Sequence, residues 1–183
     1  MAMADDRSLL YLAYGSNLHP RRLRERIGDV ELAGVVELPG WRLCFDKRGA
    51  DGSAKANLRP VPGSEHVAWA AVYRVQPEQL PALDRFEGCG GGYETFRFDV
   101  RVHGHWQPAL AYLTPSHWTT ESMRPYDWYR ALITTGAGYL GLPETYVAAI
   151  EACPVTIDSD SDRRRARLAL AEQCKRDPRV RLH

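Results

Sequence analysis

What this chain has little of narrows it first. Its 24 lysines and arginines nearly balance 23 acidic residues, for a net charge of +1, so no overall field recruits nucleic acid or an anionic membrane. No apolar run reaches the length that crosses a bilayer; the longest are strand-sized. Met1 to Arg7 lacks the apolar centre of a signal peptide, and a cytoplasmic location is the expectation. The four cysteines, Cys44, Cys89, Cys153 and Cys174, have neither the paired spacing of a zinc site nor the density of a disulfide framework, and read as reduced thiols. His103 and His105 flank Gly104, but no carboxylate or thiol pattern completes a metal set, so a hairpin turn is expected there and no metal. No internal repeat or long linker divides the chain. With 183 residues, 44% hydrophobic and 26% charged, one domain over 1–183 is expected, with 1–8 and 176–183 as tails. Its partner is then a small molecule.

What is present is organised around Leu9 to Leu18. Five apolar or aromatic residues are followed by Tyr14, Gly15, Ser16 and Asn17, the pattern of a buried strand delivering a tight polar turn and then a helix. Glycine offers free φ, and the Ser and Asn side chains can bond nearby backbone. Such a junction exposes several N–H groups in one concavity, where a carboxylate or oxyanion could sit; an ordinary strand-to-helix corner is the plainer alternative.

Further on, Arg21 to Ile27 suits a short helix with Leu23 and Ile27 inward and its four arginines solvated, although they could attract an acidic substrate. Val30 to Phe45 reads as two strands joined at Pro39-Gly40, Lys47 to Lys55 as a surface loop, and Asn57 to Pro60 as a return to the sheet. Val67 to Val75 barely alternates and is predicted to lie inside the sheet. After Pro77, the stripe Leu80 and Leu83 continues by steps of three and four to Asp84 and Glu87, which turns the Glu87 carboxylate inward unless the last turn frays into solvent. Burial favours the protonated form of a carboxyl group and brings it toward the range useful for proton transfer near neutral pH. Gly88 to Gly92 lacks the Gly-Lys-Ser/Thr ending of a nucleotide cradle and reads as a loop beside a pocket. Tyr93 to Val102 and Trp106 to Leu113 form a hairpin, and Ser116 to Trp128 wraps over the site. Trp128, Tyr129, Leu132 and Ile133 have helical spacing, stopped by Gly136 and Gly138; Pro143 opens another helix carrying Tyr146, Val147 and Ile150. A last helix holds Arg163 to Cys174, capped by Asp158 to Asp162, with Arg163, Arg164, Arg165 and Arg167 on its solvent face.

Several of these words occur together elsewhere. Tyr14-Gly15-Ser16-Asn17-Leu18 after a near-terminal strand, then Glu87-Gly88, Tyr129, Gly136-Ala137, Gly141-Leu142-Pro143 and Tyr146, in that order, resemble the γ-glutamylcyclotransferase family, over about Leu9 to Ala152. The resemblance implies an α+β fold, a small mixed β-barrel or strongly curved sheet with flanking helices. It implies an enzyme that cyclises a γ-glutamyl group to 5-oxoproline, with Glu87 as general base and acid. By the same resemblance Tyr14, Gly15, Ser16, Asn17, Leu18, Tyr93, Tyr112 and Tyr129 bind substrate, and neither cofactor nor covalent nucleophile is called for. The expected partner is a γ-glutamyl compound, with no nucleic acid and no membrane; a homodimer is left open. Two alternatives share the pocket: a related enzyme unmasking a γ-glutamylamine or secondary metabolite, and a non-catalytic module sensing a γ-glutamyl compound. A Ser or Cys hydrolase lacks support, since Ser16 is in no Gly-x-Ser-x-Gly elbow and Cys153 precedes Pro154 without a matching histidine pattern.

Overall fold

The computed structural model describes residues 8–178; of the expected tails 1–8 and 176–183, residues 1–7 and 179–183 lie outside them. Arg176 closes the last helix and Asp177 accepts from Arg21 Nε at 2.9 Å, so neither belongs to a tail. Leu9–Ala13 forms β1, and from Leu10 onward its residues are buried on both faces. Such a strand belongs at the centre of a sheet. It is the middle strand of five, in the order β2-β5-β1-β7-β6, where β2 is Glu31–Pro39, β5 Val67–Val75, β6 Glu94–Val102 and β7 His105–Leu113. β1 runs antiparallel to β5 and parallel to β7, with Leu10 opposite Ala109. The interior position expected for Val67–Val75 is met, β5 being paired on both sides. The sheet curls until its edge strands β2 and β6 touch, which gives the strongly curved α+β fold expected.

Two further strands, β3 (Trp41–Arg48) and β4 (Ala54–Pro60), make a separate antiparallel ribbon. The strands around Pro39-Gly40 therefore do not pair with each other: β2 joins β5, and β3 joins β4. The Gly40 N–H donates to the His66 carbonyl and the Gly40 carbonyl accepts from the Val61 N–H, which pins the chain as a corner rather than a hairpin. The surface loop expected over Lys47 to Lys55 is also shorter. Only 49–53 turns, and Lys47 and Lys55 face each other across the ribbon, both largely withdrawn from solvent. The β6–β7 hairpin forms at His103-Gly104 as expected, with φ of 50° and 82° at the two turn residues, the turn chemistry that matches strand twist.

The helices are α1 (Pro20–Ile27), α2 (Leu80–Glu87), α3 (Asp127–Tyr139), α4 (Glu144–Glu151) and α5 (Ser161–Arg176). The glycines expected to stop α3 lie inside it. A Cβ at Gly136 would stand 2.6 Å from the Leu18 Cβ and 2.9 Å from the His19 nitrogen, so this glycine lets the helix press against the turn after β1. The arginines of α5 are not merely solvated either. Arg163 grips the buried Asp158, which also accepts from the Trp128 indole at 2.7 Å, and Arg164 reaches Asp127 at 2.7 Å. The Arg163 guanidinium holds the Asp158 carboxyl well below the usual carboxylate range. On α1, Arg22 is buried where a solvated side chain was expected.

Candidate active site

Glu87 is the last residue of α2. Leu83, four residues earlier, is fully buried and fixes the inward face; Gly88 follows at φ 68°, a left-handed cap that stops the helix on the carboxylate. The inward direction read from the sequence is what the structure shows, with Glu87 half-buried. Its Oε1 accepts hydrogen bonds from the Tyr11 hydroxyl at 2.9 Å and from Asn17 Nδ2 at 2.6 Å. Asn17 Oδ1 in turn accepts from Arg26 Nη1 at 2.9 Å, so α1 orients the amide that orients the carboxylate. Both donors end on one oxygen; among the described residues Oε2 accepts no hydrogen bond.

The turn behind it leaves backbone donors free. The Leu18 N–H closes on the Gly15 carbonyl at 3.0 Å, whereas the N–H groups of Gly15, Ser16 and Asn17 find no acceptor among the described residues. Free φ is not what Gly15 supplies, because its backbone lies outside the left-handed region; a Cβ there would meet the Ala56 Cβ at 3.1 Å, so space is the requirement.

Tyrosines wall the remainder. The Tyr93 hydroxyl donates to the Ala56 carbonyl at 2.5 Å, and the Ala56 N–H donates to the Tyr129 hydroxyl at 3.1 Å, so two site tyrosines clamp one residue of β4. Tyr112 donates to Asp84 Oδ1 at 2.5 Å, and Tyr14 donates to the Tyr112 carbonyl. Burial raises Tyr11, Tyr14 and Tyr93 well above the ordinary phenol range and pushes Tyr129 up to about 12, so all stay protonated donors at neutral pH. Tyr14, Gly15, Ser16, Asn17, Tyr93, Tyr112 and Tyr129 thus surround one narrow cavity with Glu87, and Tyr11 and Ala56 complete its wall. Leu18 is not among them. Its side chain is wholly buried beside Gly136, and its carbonyl accepts from Tyr73 at 2.6 Å, so it anchors the turn from behind.

The AIG2-like family model matches residues 67–150. Gamma-glutamylcyclotransferase of Homo sapiens is 30% identical over 155 residues, spanning 81% of this chain and 80% of that protein. The chain belongs to the γ-glutamylcyclotransferase family. The relative from Mus musculus is 29% identical over 152 residues, across 79% of this chain and 78% of its own. A solved gamma-glutamyl cyclotransferase structure superposes with a TM-score of 0.75 at 24% identity, over 91% of this chain and 99% of that one, so the fold is shared. YkqA from Bacillus subtilis shares it more distantly, with a TM-score of 0.64 at 20% identity over 81% of this chain and 56% of that one.

In this member of the γ-glutamylcyclotransferase family, sequence reading missed Tyr11, Arg26 and Ala56. Tyr11 carried one signal, a hydroxyl-bearing side chain in a strand otherwise apolar and buried, which must find a partner inside. Ala56 carried none. It reaches the site only because the β3–β4 ribbon folds across it.

Proposed function

We propose that this chain converts a γ-glutamyl amide to 5-oxoproline and a free amine or amino acid, with Glu87 moving the protons. The observation that carries the reading is the Glu87 carboxylate, held on Oε1 by Tyr11 and Asn17 and, among the described residues, left open at Oε2, beside a turn whose N–H groups find no acceptor among them. The relatives named gamma-glutamylcyclotransferase support the same chemistry.

The substrate's α-amine carries an extra proton at neutral pH, and Oε2 is the group placed to take it. The freed nitrogen attacks the γ-carbonyl carbon of the same glutamyl unit, closing a five-membered ring and pushing the carbonyl electrons onto oxygen. Backbone N–H groups of the turn and tyrosine hydroxyls are the donors available to that oxyanion and to the substrate carboxylate. After attack the ring nitrogen still carries two protons. When the oxyanion collapses, the amide C–N bond breaks and Glu87 returns the first proton to the departing nitrogen. The regenerated carboxylate relays the second from the ring nitrogen to the released amine, which leaves as an ammonium. Atoms and charge balance with one carboxyl group and no redox step. Because attack is intramolecular, folding the glutamyl chain in a narrow slot supplies much of the rate. This is a lyase-type cyclisation. It fits γ-glutamyl turnover such as glutathione metabolism, in the cytoplasm, with a small molecule as partner.

The test is release of 5-oxoproline by purified protein from γ-glutamyl amino acids, a γ-glutamylamine and glutathione, beside Glu87→Gln. Turnover of any of these that falls by about 10²- to 10⁴-fold in Glu87→Gln supports the reading, the range typical of a lost general base. Silence toward all of them, with a melting temperature still raised by a γ-glutamyl compound, supports the sensing module instead.

A further inference from the structure

The phenols around the cavity differ in where their protons go. Tyr11 is complete, donating to Glu87 and accepting from Asn17 Nδ2 at 3.1 Å. Tyr14 and Tyr93 donate to backbone carbonyls, those of Tyr112 and Ala56. Tyr129 is reversed: it accepts from the Ala56 N–H, and among the described residues its own proton finds no acceptor. Tyr112 alone hands its proton to a carboxylate outside the cavity lining, Asp84, whose Oδ1 accepts it at 2.5 Å. A carboxylate can only accept, so the direction of that bond is fixed by chemistry. The Tyr112 side chain is 2% exposed and lines the cavity, yet among the described residues nothing donates to its oxygen.

Asp84 precedes Glu87 by three residues on α2, so the two carboxylates stand one turn apart on the same face. It is half-buried, and among the described residues the Tyr112 hydroxyl is the one hydrogen bond its side chain makes; no lysine or arginine pairs with it. Burial, and after it the bond to Asp84, raise the Tyr112 phenol above its ordinary range and keep the proton on the phenol oxygen. A strut between α2 and β7 could be made by any polar pair. What a carboxylate adds is one-way bonding, because it cannot return a proton and Tyr112 therefore cannot turn its own toward the cavity.

We infer that Asp84 is a positioning residue for the cyclisation: it takes up the Tyr112 hydrogen bond, and the Tyr112 oxygen, left as an acceptor on the cavity wall, seats the substrate's α-ammonium beside Glu87. The assignment rests on the cyclotransferase reading and names what holds the attacking nitrogen. An ammonium brings three donors and no acceptor, so a hydroxyl proton aimed at it repels, whereas a lone pair makes a charge-assisted bond. The protons of Tyr14 and Tyr93 are also spent on the protein, so the wall offers lone pairs beyond Tyr112 as well. With one N–H on Glu87 Oε2 and a second on Tyr112, the nitrogen is held in place while Glu87 takes its proton.

The test is a double-mutant cycle between Asp84→Ala and Tyr112→Phe, read as kcat and KM for γ-glutamyl-L-alanine and as inhibition by N-glutaryl-L-alanine, which lacks only the α-amine. Tyr112→Phe is expected to lower kcat/KM by about 10- to 100-fold, chiefly through KM, and Asp84→Ala by roughly 10-fold in the same way, as for a contact to a charged group. Asp84→Asn, whose carbonyl oxygen still accepts, should recover part of the loss. In the Tyr112→Phe background Asp84→Ala should cost little more, and inhibition by N-glutaryl-L-alanine should barely change in any variant. An equal loss from Asp84→Ala in both backgrounds, or inhibition weakened as much as turnover, overturns the assignment and leaves the cyclotransferase reading standing. Should Asp84→Ala not fold, the cycle with Asp84→Asn decides: a loss that vanishes in Tyr112→Phe supports the assignment, and any other result overturns it. No turnover by wild type overturns the cyclotransferase reading, and this assignment with it.

Discussion

Among the described residues Glu87 is gripped through one oxygen only, and that asymmetry makes its two donors separable. Tyr11→Phe removes the hydroxyl and leaves Asn17 in place, so kcat should fall by roughly 10-fold with little change in melting temperature, the size of one hydrogen bond to a charged group. Asn17→Ala should cost more, because it also leaves Arg26 without its acceptor and frees the turn. Steady-state kinetics beside a thermal melt decide between these. If both variants act equally, Glu87 is oriented by its helix rather than by its donors. The inward direction of Glu87 was legible from the step Leu80, Leu83, Glu87 and the glycine that follows. Its donors were not, since Tyr11 and Asn17 lie far from it in sequence and no periodicity links them.

At the scale of elements, α3 and α1 both lean on the turn after β1. Gly136→Ala would drive a methyl group into Leu18 and the His19 backbone, with an expected loss of about 1–3 kcal/mol and a lower kcat, since the displaced turn carries Ser16 and Asn17. A Cβ at Gly138 would meet nothing within 4 Å, so Gly138→Ala should instead gain about 0.5–1 kcal/mol from helix propensity. The pair, read by denaturant melts, distinguishes close approach from a helix stop. His19 caps α1, its Nδ1 accepting from the Arg21 N–H at 3.2 Å. Burial pushes its pKa down to about 4, below the unfolded value, so the unfolded chain binds the proton first as the solution is acidified. Stability is therefore complete above about pH 6.5 and is lost as pH falls toward 4, by roughly 2–3 kcal/mol at most. His19→Asn keeps a capping acceptor and cannot titrate; its melting temperature should change less over that window, and an equal change would exclude His19 as the cause.

At the scale of the whole molecule, the cavity is assembled from β1, the turn, β4, α2, Tyr93 just ahead of β6, β7 and α3. A ligand there ties the main sheet, the ribbon and the helices together. In Glu87→Gln, which should bind without turning over, saturating γ-glutamyl-alanine is expected to raise the melting temperature of a single transition, by the equivalent of about 2.7 kcal/mol at a hundredfold excess over Kd. Two transitions, with only one shifted by ligand, would show that ribbon and sheet unfold apart. Among the described residues no helix is long and apolar enough to cross a membrane.

The local words of the chain determined a good deal. The apolar run of β1, the polar turn after it, the stripe that aims Glu87 inward and the His103-Gly104 hairpin follow from side-chain period and turn chemistry, which act over a few residues. Only the tertiary structure decided the rest. That Gly136 serves close packing, that Arg163 closes on a buried carboxylate, and that Lys47 stands against the face of Tyr93 depend on which strands pair and where the chain turns its corners. β1 lies against β7 across nearly a hundred intervening residues, as the Leu10–Ala109 pairing shows. Such a register is chosen by the burial of the whole sheet, and no single stretch contains it.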